Sequence, residues 1–168
     1  MIRICFALLV LLVSACAPKD NGGIVLSVSD GEYQALTWSD YYEAGKESFT
    51  LELLDLKQGS VWAPGAACGL ESDSNDLDGI QVYLFHEMKE SSTLKLIVRH
   101  IKDGQPKSES LLKNGIELDS RISFDVTWHS GIVDITFDDT TEKIDTDFRN
   151  LKPFCSVSSG TAKFVIGN

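Results

Sequence analysis

Glycoside hydrolysis needs two carboxylates across a cleft, about 5 to 9.5 Å apart. Close-set acidic pairs to weigh include Glu52/Asp55, Asp76/Asp78 and Asp145/Asp147. Glu52 and Asp55 are three positions apart, which on a strand sends them to opposite faces; the other two pairs fall in or beside turns. None is set up as a catalytic dyad. Asp73-Ser74-Asn75-Asp76-Leu77-Asp78-Gly79 is the densest run of the hard oxygen ligands that calcium takes. An EF-hand spacing, however, puts Leu77 where an oxygen is needed and Leu84 where the closing Glu belongs, so the run reads as a solvated turn. His86, His100 and His129 lack metal-ligand spacing; His86 and His100 end neighbouring strands, where they would approach each other as polar strand ends. Nothing matches Gly-x-Ser-x-Gly, a P-loop or a dinucleotide fingerprint. No metal and no cofactor is therefore expected. Aromatic residues are what remains: Trp38, Tyr41 and Tyr42 ahead of one strand, and Trp62 just before Ala63-Pro64-Gly65. Flat rings with a polar handle stack on sugars or anchor a partner, and the alternative is that they pack the edges of the fold.

The segments that would carry these groups alternate with period two, the mark of strands with one buried face. Ile122, Phe124, Val126 and Trp128 alternate with Ser123, Asp125 and Thr127, which places Trp128 in the core. Ile80, Val82 and Leu84 alternate with Gln81 and Tyr83, and Leu94, Leu96 and Val98 with Lys95 and Arg99. Shorter candidates are 24–29, 34–38, 49–54, 132–137 and 162–166. Polar and glycine clusters at 72–79, 102–105, 113–115 and 129–131 mark turns at the spacing of a sandwich. Residues 39–44, capped by Ser39 and stopped by Gly45, and residues 86–91 would each make at most one helical turn. The expected fold class is all-β, an antiparallel two-sheet β-sandwich.

The chain starts with Met1 and Arg3, an apolar run from Ile4 to Val13, and then Val13-Ser14-Ala15-Cys16. The run is too short to span a bilayer and has the regions of an export signal. It resembles a bacterial lipoprotein signal with its lipobox, in which the chain is cut just before a cysteine that receives lipid. The resemblance implies that 1–15 is a signal peptide, that Cys16 is lipidated, that 16–23 is a short tether and that 24–168 is a single domain. Two or more acyl chains anchor a protein stably where one does not, and Ala17 after the cysteine implies the outer membrane by the sorting rule for such proteins. A tether of this length holds the domain about 15 Å from its anchor. Arg3 leaves with the signal, so 15 basic residues become 14 against 25 acidic ones, a formal charge of −11. Nucleic acid and attraction to anionic lipid are thereby disfavoured as modes of binding.

With Cys5 lost in the signal and Cys16 committed to lipid, Cys68 and Cys155 remain, and an exported chain joins such a pair. Neither sits in a Cys-x-x-Cys pair, so the bridge is expected to be a staple rather than a redox centre.

R-I-S-F-D-V-T-W-H-S-G-I-V-D-I-T-F-D-D, from Arg121 to Asp139, resembles the strand, Trp, turn with Gly, strand and Asp hairpin of concanavalin A-like and laminin G-like jelly rolls. In those folds the first and last strands pair, which here means 24–29 with 162–166. The Glu-x-Asp-x-x-Glu pattern of jelly-roll glucanases is missing. So is the Gln-Ile-His motif of jelly-roll alginate lyases, whose tyrosine segment Tyr41-Tyr42-Glu43-Ala44-Gly45-Lys46 resembles only distantly. The resulting expectation is a lipid-anchored envelope lipoprotein with a non-enzymatic domain that binds a glycan or an envelope protein. The alternatives are a carbohydrate-active hydrolase or lyase with an unfamiliar site, and a purely structural envelope protein.

Overall fold

The computed structural model describes residues 22–57, 63–74, 78–86 and 93–167. These residues form twelve strands and no helix. Sheet 1 contains, in spatial order, β1 (Ile24–Ser27), β12 (Gly160–Gly167), β3 (Ala44–Leu56), β8 (Arg121–His129), β9 (Ile132–Phe137) and β10 (Thr140–Asp145). Sheet 2 contains β2 (Tyr33–Thr37), β11 (Leu151–Ser158), β4 (Gly65–Ser72), β5 (Gly79–Phe85), β6 (Leu94–Lys102) and β7 (Gln105–Ile116). Every pairing is antiparallel, and the fold is a jelly-roll β-sandwich of the concanavalin A-like type.

Alternation decides which side chains fill the space between the sheets. Phe49 and Leu51 of β3 stand opposite Phe124 and Ile122 of β8, while Val82 and Leu84 of β5 stand opposite Val98 and Leu96 of β6. Trp128 is buried, as its place in the alternation requires, and its indole N–H donates to the Tyr42 carbonyl at 3.1 Å. Its ring lies where a side chain on Gly45 would be, 2.3 Å from the position of a Cβ there. The β8–β9 hairpin turns through Ser130 and Gly131, both at positive φ, as the tight hairpin turns demand. β1 pairs with β12, Ile24 opposite Phe164. Cys68 of β4 stands directly opposite Cys155 of β11, and the two fully buried sulfurs are bonded.

Three expectations change. Residues 39–44 make no helical turn, because Tyr42 instead exchanges two 2.9 Å backbone hydrogen bonds with Leu151 and so continues the edge of sheet 2. Beyond His86, the second expected turn falls outside the described residues. Lys113, Asn114 and Gly115 form no loop; they lie inside β7, where a register shift against β6 accommodates Gly115 at a φ of 72°. His86 and His100 do not approach each other, since antiparallel pairing sets the end of β5 against the start of β6, with His100 opposite Ile80 and Lys95 opposite Phe85.

Candidate functional site

The two sheets expose very different outer faces. On sheet 1, register and alternation point Ser48, Thr50, Ser123, Asp125, Thr136 and Thr141 outward, and these groups satisfy one another. Ser48 donates to Asp125 at 2.6 Å, the Thr50 and Ser123 hydroxyls meet at 2.8 Å and those of Thr136 and Thr141 at 3.1 Å. The Ser48 hydroxyl bond, helped by Lys46, holds the Asp125 carboxyl below its ordinary range despite some desolvation. Such a face is polar, level and self-contained.

Sheet 2 carries the rings. Among the described residues, the strand-borne aromatic side chains that alternation and register set on the outer side are Tyr33, Tyr83, Phe85 and Phe154, all on sheet 2, with Phe154 itself buried. Between them runs β4, whose outward positions Gly65, Ala67 and Gly69 are small and buried beneath neighbours such as Tyr83. A Cβ on Gly69 would come 2.0 Å from the Ile80 carbonyl oxygen, so glycine is what lets β4 lie this close to β5.

Two clusters of polar groups stand on this face. In the first, Tyr83 and Phe85 stack with centroids 5.0 Å apart and planes 3° from parallel. Arg99 of β6 lies 4.6 Å from the Tyr83 ring centroid and 5.8 Å from that of Phe85, a cation–π arrangement. Its Nε donates to Glu109 Oε1 of β7 at 2.6 Å. Tyr83 donates its hydroxyl to the Ala63 carbonyl at 3.2 Å, and burial pushes its phenol up against the pull of Ser158 and Arg99. Gln81 sits opposite Arg99 in register.

In the second cluster, Lys152 of β11 and Glu71 of β4 face each other at 3.2 Å with side chains only 19% and 15% exposed. Tyr41 donates its hydroxyl to Glu71 at 3.2 Å, and the Lys152 ammonium sits 4.5 Å from the Tyr41 ring centroid. Burial works against the charge of Lys152, but the bonds to Tyr41 and Glu71 outweigh it and hold the ammonium above its ordinary pKa. Burial also raises the Tyr41 phenol.

The described aromatic candidates from the sequence, Trp38, Tyr41 and Tyr42, are placed differently. Tyr41 belongs to the second cluster, and Tyr42 is 51% exposed beside it in sequence. Trp38 is half-buried, edge-on to Phe49 at 6.0 Å and packed against the core rather than standing on the sheet. Trp62 lies outside the described residues, as does Cys16. The residues that do share a face, Glu71, Gln81, Tyr83, Phe85, Arg99, Glu109 and Lys152, carry no sequence signal beyond the period-two outward positions of Tyr83, Gln81 and Arg99.

Asp73 and Asp78 line a cavity of about 430 Å³ at one end of the sandwich, together with Lys102, Asp147 and Asn150. Its acids hold loops together. Asp73 accepts from the Asn150 amide at 2.7 Å, Asp78 from the Gly104 backbone N–H at 3.0 Å, and Asp147 pairs with Lys102. Among the described residues no group of three or more His, Cys, Asp or Glu side chains is placed to hold a metal ion.

No known protein family matches this chain, and no characterised protein matches it by sequence. Solved structures do match in shape. The carbohydrate-binding module CBM66 from Bacillus subtilis aligns at 13% identity over 86% of this chain and 93% of its own, with a TM-score of 0.54. CG-16, a homodimeric agglutinin from chicken liver, aligns at 9% identity over 81% of this chain and all of its own, with a TM-score of 0.52. An alginate lyase from Pseudomonas aeruginosa aligns at 13% identity over 75% of this chain, with a TM-score of 0.55, and this chain spans 65% of the lyase. At these identities the likeness establishes the fold, a jelly-roll sandwich.

Proposed function

We propose that this protein is a lipid-anchored envelope protein whose sandwich binds a glycan, without cleaving it, on the outer face of sheet 2. The observation that carries the reading is the placement of the outward aromatic residues on that one sheet, with the Tyr83–Phe85 pair flanked by Arg99, Glu109 and Gln81. Rings supply contact area for sugar faces, and charged or amide groups at their edge fix orientation. The matching agglutinin and carbohydrate-binding module support the reading as relatives in shape.

Cleavage is disfavoured by placement. Glu71 on β4 and Glu109 on β7 are the carboxylates of the two clusters, and three strand spacings separate their strands, roughly 14 Å, beyond the ~9.5 Å limit for a hydrolytic pair. Each is also held in an ion pair. The alginate lyases among the matching structures keep an eliminating enzyme as the rival.

Residues 19–168 contain every described strand, and that segment applied to a glycan array tests the reading. Tyr83→Ala and Phe85→Ala should each weaken binding about tenfold, the worth of a ring contact of ~1.4 kcal/mol, and no reducing ends or unsaturated products should appear. Products would establish the enzyme. Loss of all binding in the wild type, with a protein captured by cross-linking on the same face, would establish a protein partner. The anchor is tested apart: Cys16→Ser should abolish incorporation of labelled palmitate, and undiminished labelling would remove Cys16 as the lipid site.

A further inference from the structure

We infer that the ligand of this face is an uncharged glycan, read through its hydroxyl groups rather than through carboxylates or sulfates; the inference rests on the glycan-binding reading above. The argument turns on what the cations of the face are doing. A site for an acidic polysaccharide must present positive charge that nothing else neutralises, and here both clusters give their cation a carboxylate. Arg99 is held by Glu109 at 2.6 Å and Lys152 by Glu71 at 3.2 Å, the latter pair mostly withdrawn from solvent under Tyr41. Lys95, opposite Phe85 in register, is itself engaged. An acidic group approaching Arg99 would meet Glu109 beside it, and the chain as a whole, at −10, repels polyanions at long range.

Hydroxyls suit the same groups well. A carboxylate only accepts hydrogen bonds, whereas a hydroxyl donates one and accepts others. The Arg99–Glu109 bond uses one of the guanidinium's five N–H groups and one of the two carboxylate oxygens. A pair of neighbouring sugar hydroxyls can therefore accept from Arg99 and donate to Glu109 together, with the Gln81 amide, donor and acceptor in one group, next along the register row. Tyr83 and Phe85, stacked on each other, add a partly exposed apolar edge beside these polar groups. The ion pairs are thus preformed donor–acceptor clamps, fixed before the ligand arrives.

The test is equilibrium binding of residues 19–168 to a neutral β-glucan and a fructan on one side and to alginate and polygalacturonate on the other, at low and high salt. Expected is binding within the neutral set, changing less than about twofold between 50 and 500 mM NaCl because no counterions are exchanged. Glu109→Gln and Arg99→Gln should each weaken it about tenfold, the loss that goes with one charge-assisted hydrogen bond, with the fold intact by circular dichroism. Binding to the polyuronates that falls steeply with salt and strengthens in Glu109→Gln would overturn the neutral class while leaving glycan binding in place. Binding to neither set by a folded domain would instead remove the glycan reading and this inference with it.

Discussion

Cys68 and Cys155 make the sharpest quantitative prediction, because their bridge joins two adjacent strands of sheet 2 while tying together positions 87 apart in sequence. In the native state β4 and β11 are already paired along eight residues, so the bond adds little that the ladder does not hold. In the unfolded chain it closes an 87-residue loop. The chain-entropy treatment values that restriction at about 4.5 kcal/mol. For a domain near 150 residues each kcal/mol moves Tm by roughly 2 to 4 °C, so replacing both cysteines by alanine should lower Tm by about 9 to 18 °C. Differential scanning calorimetry of residues 19–168 and of the double variant reads this directly, and a thiol titration of the denatured, unreduced wild type should find none free. The far-ultraviolet circular dichroism below Tm should match, and the denaturant m-value should rise in the variant, since its unfolded chain exposes more surface. A fall of less than about 3 °C with an unchanged m-value would refute the reasoning. It would mean that the unfolded chain keeps β4 and β11 together without the bond.

Other consequences are more local. Gly45→Ala puts a methyl into the Trp128 ring and should cost about 1 to 3 kcal/mol, read as a lower urea midpoint; an unchanged midpoint would show that Trp128 is free to move. His100 is buried, with an unpartnered Nε2 and its ring edge-on to Phe148, and burial lowers its pKa, helped by Lys107 and Lys102 and opposed by Asp147 and Asp78. The folded state therefore resists the proton that the unfolded state takes near pH 6.5, so stability should be complete above that pH and decline as pH falls below it; His100→Leu should flatten this decline in Tm against pH. Glu47 faces inward from β3 beside Trp38, and burial raises its carboxyl against the Trp38 hydrogen bond. Its contribution is present below about pH 4.5 and lost as pH rises through the elevated folded value, so Glu47→Gln should raise Tm at pH 7 more than at pH 4, and equal shifts at both would contradict the burial argument.

The parts of the fold legible in the sequence are those buried on one face and solvated on the other. Ile122 to Trp128 and Ile132 to Phe137 announce β8 and β9 because each second residue is apolar, and Ser130-Gly131 supplies the turn. β4 has no such signature. Gly65-Ala66-Ala67-Cys68-Gly69-Leu70 lies buried on both sides, its outward positions roofed by neighbours such as Tyr83, so small residues replace alternation. β7 fails for the opposite reason: it is an exposed edge strand, polar almost throughout, and Asn114-Gly115 makes a bulge where the same residues elsewhere make a turn. Tyr41, Tyr42 and Trp38 stood out as a cluster of rings, but local sequence says nothing about Trp38 turning in to meet Phe49. The face itself was illegible because Glu71, Arg99, Glu109 and Lys152 become neighbours only when β11, β4, β5, β6 and β7 are laid side by side.

Position and affinity bear on each other. The outer face of sheet 2 is shallow: its floor is glycine and alanine, Phe154, Ser156 and Ala67 are already buried, and its polar groups are spent partly on their own ion pairs. A face of this kind gives up little desolvation energy per sugar and should bind a single chain segment weakly. If Cys16 carries lipid, however, many copies share one surface, and a polysaccharide that touches several gains effective concentration without a new contact, an avidity of 10² to 10⁴ over the single site by the usual arithmetic. Weak individual binding and a lipid anchor then belong to one design. Liposomes bearing the lipidated protein should accordingly retain a polymeric neutral glycan at concentrations where the free domain does not, and equal retention by both would separate the anchor from the binding function.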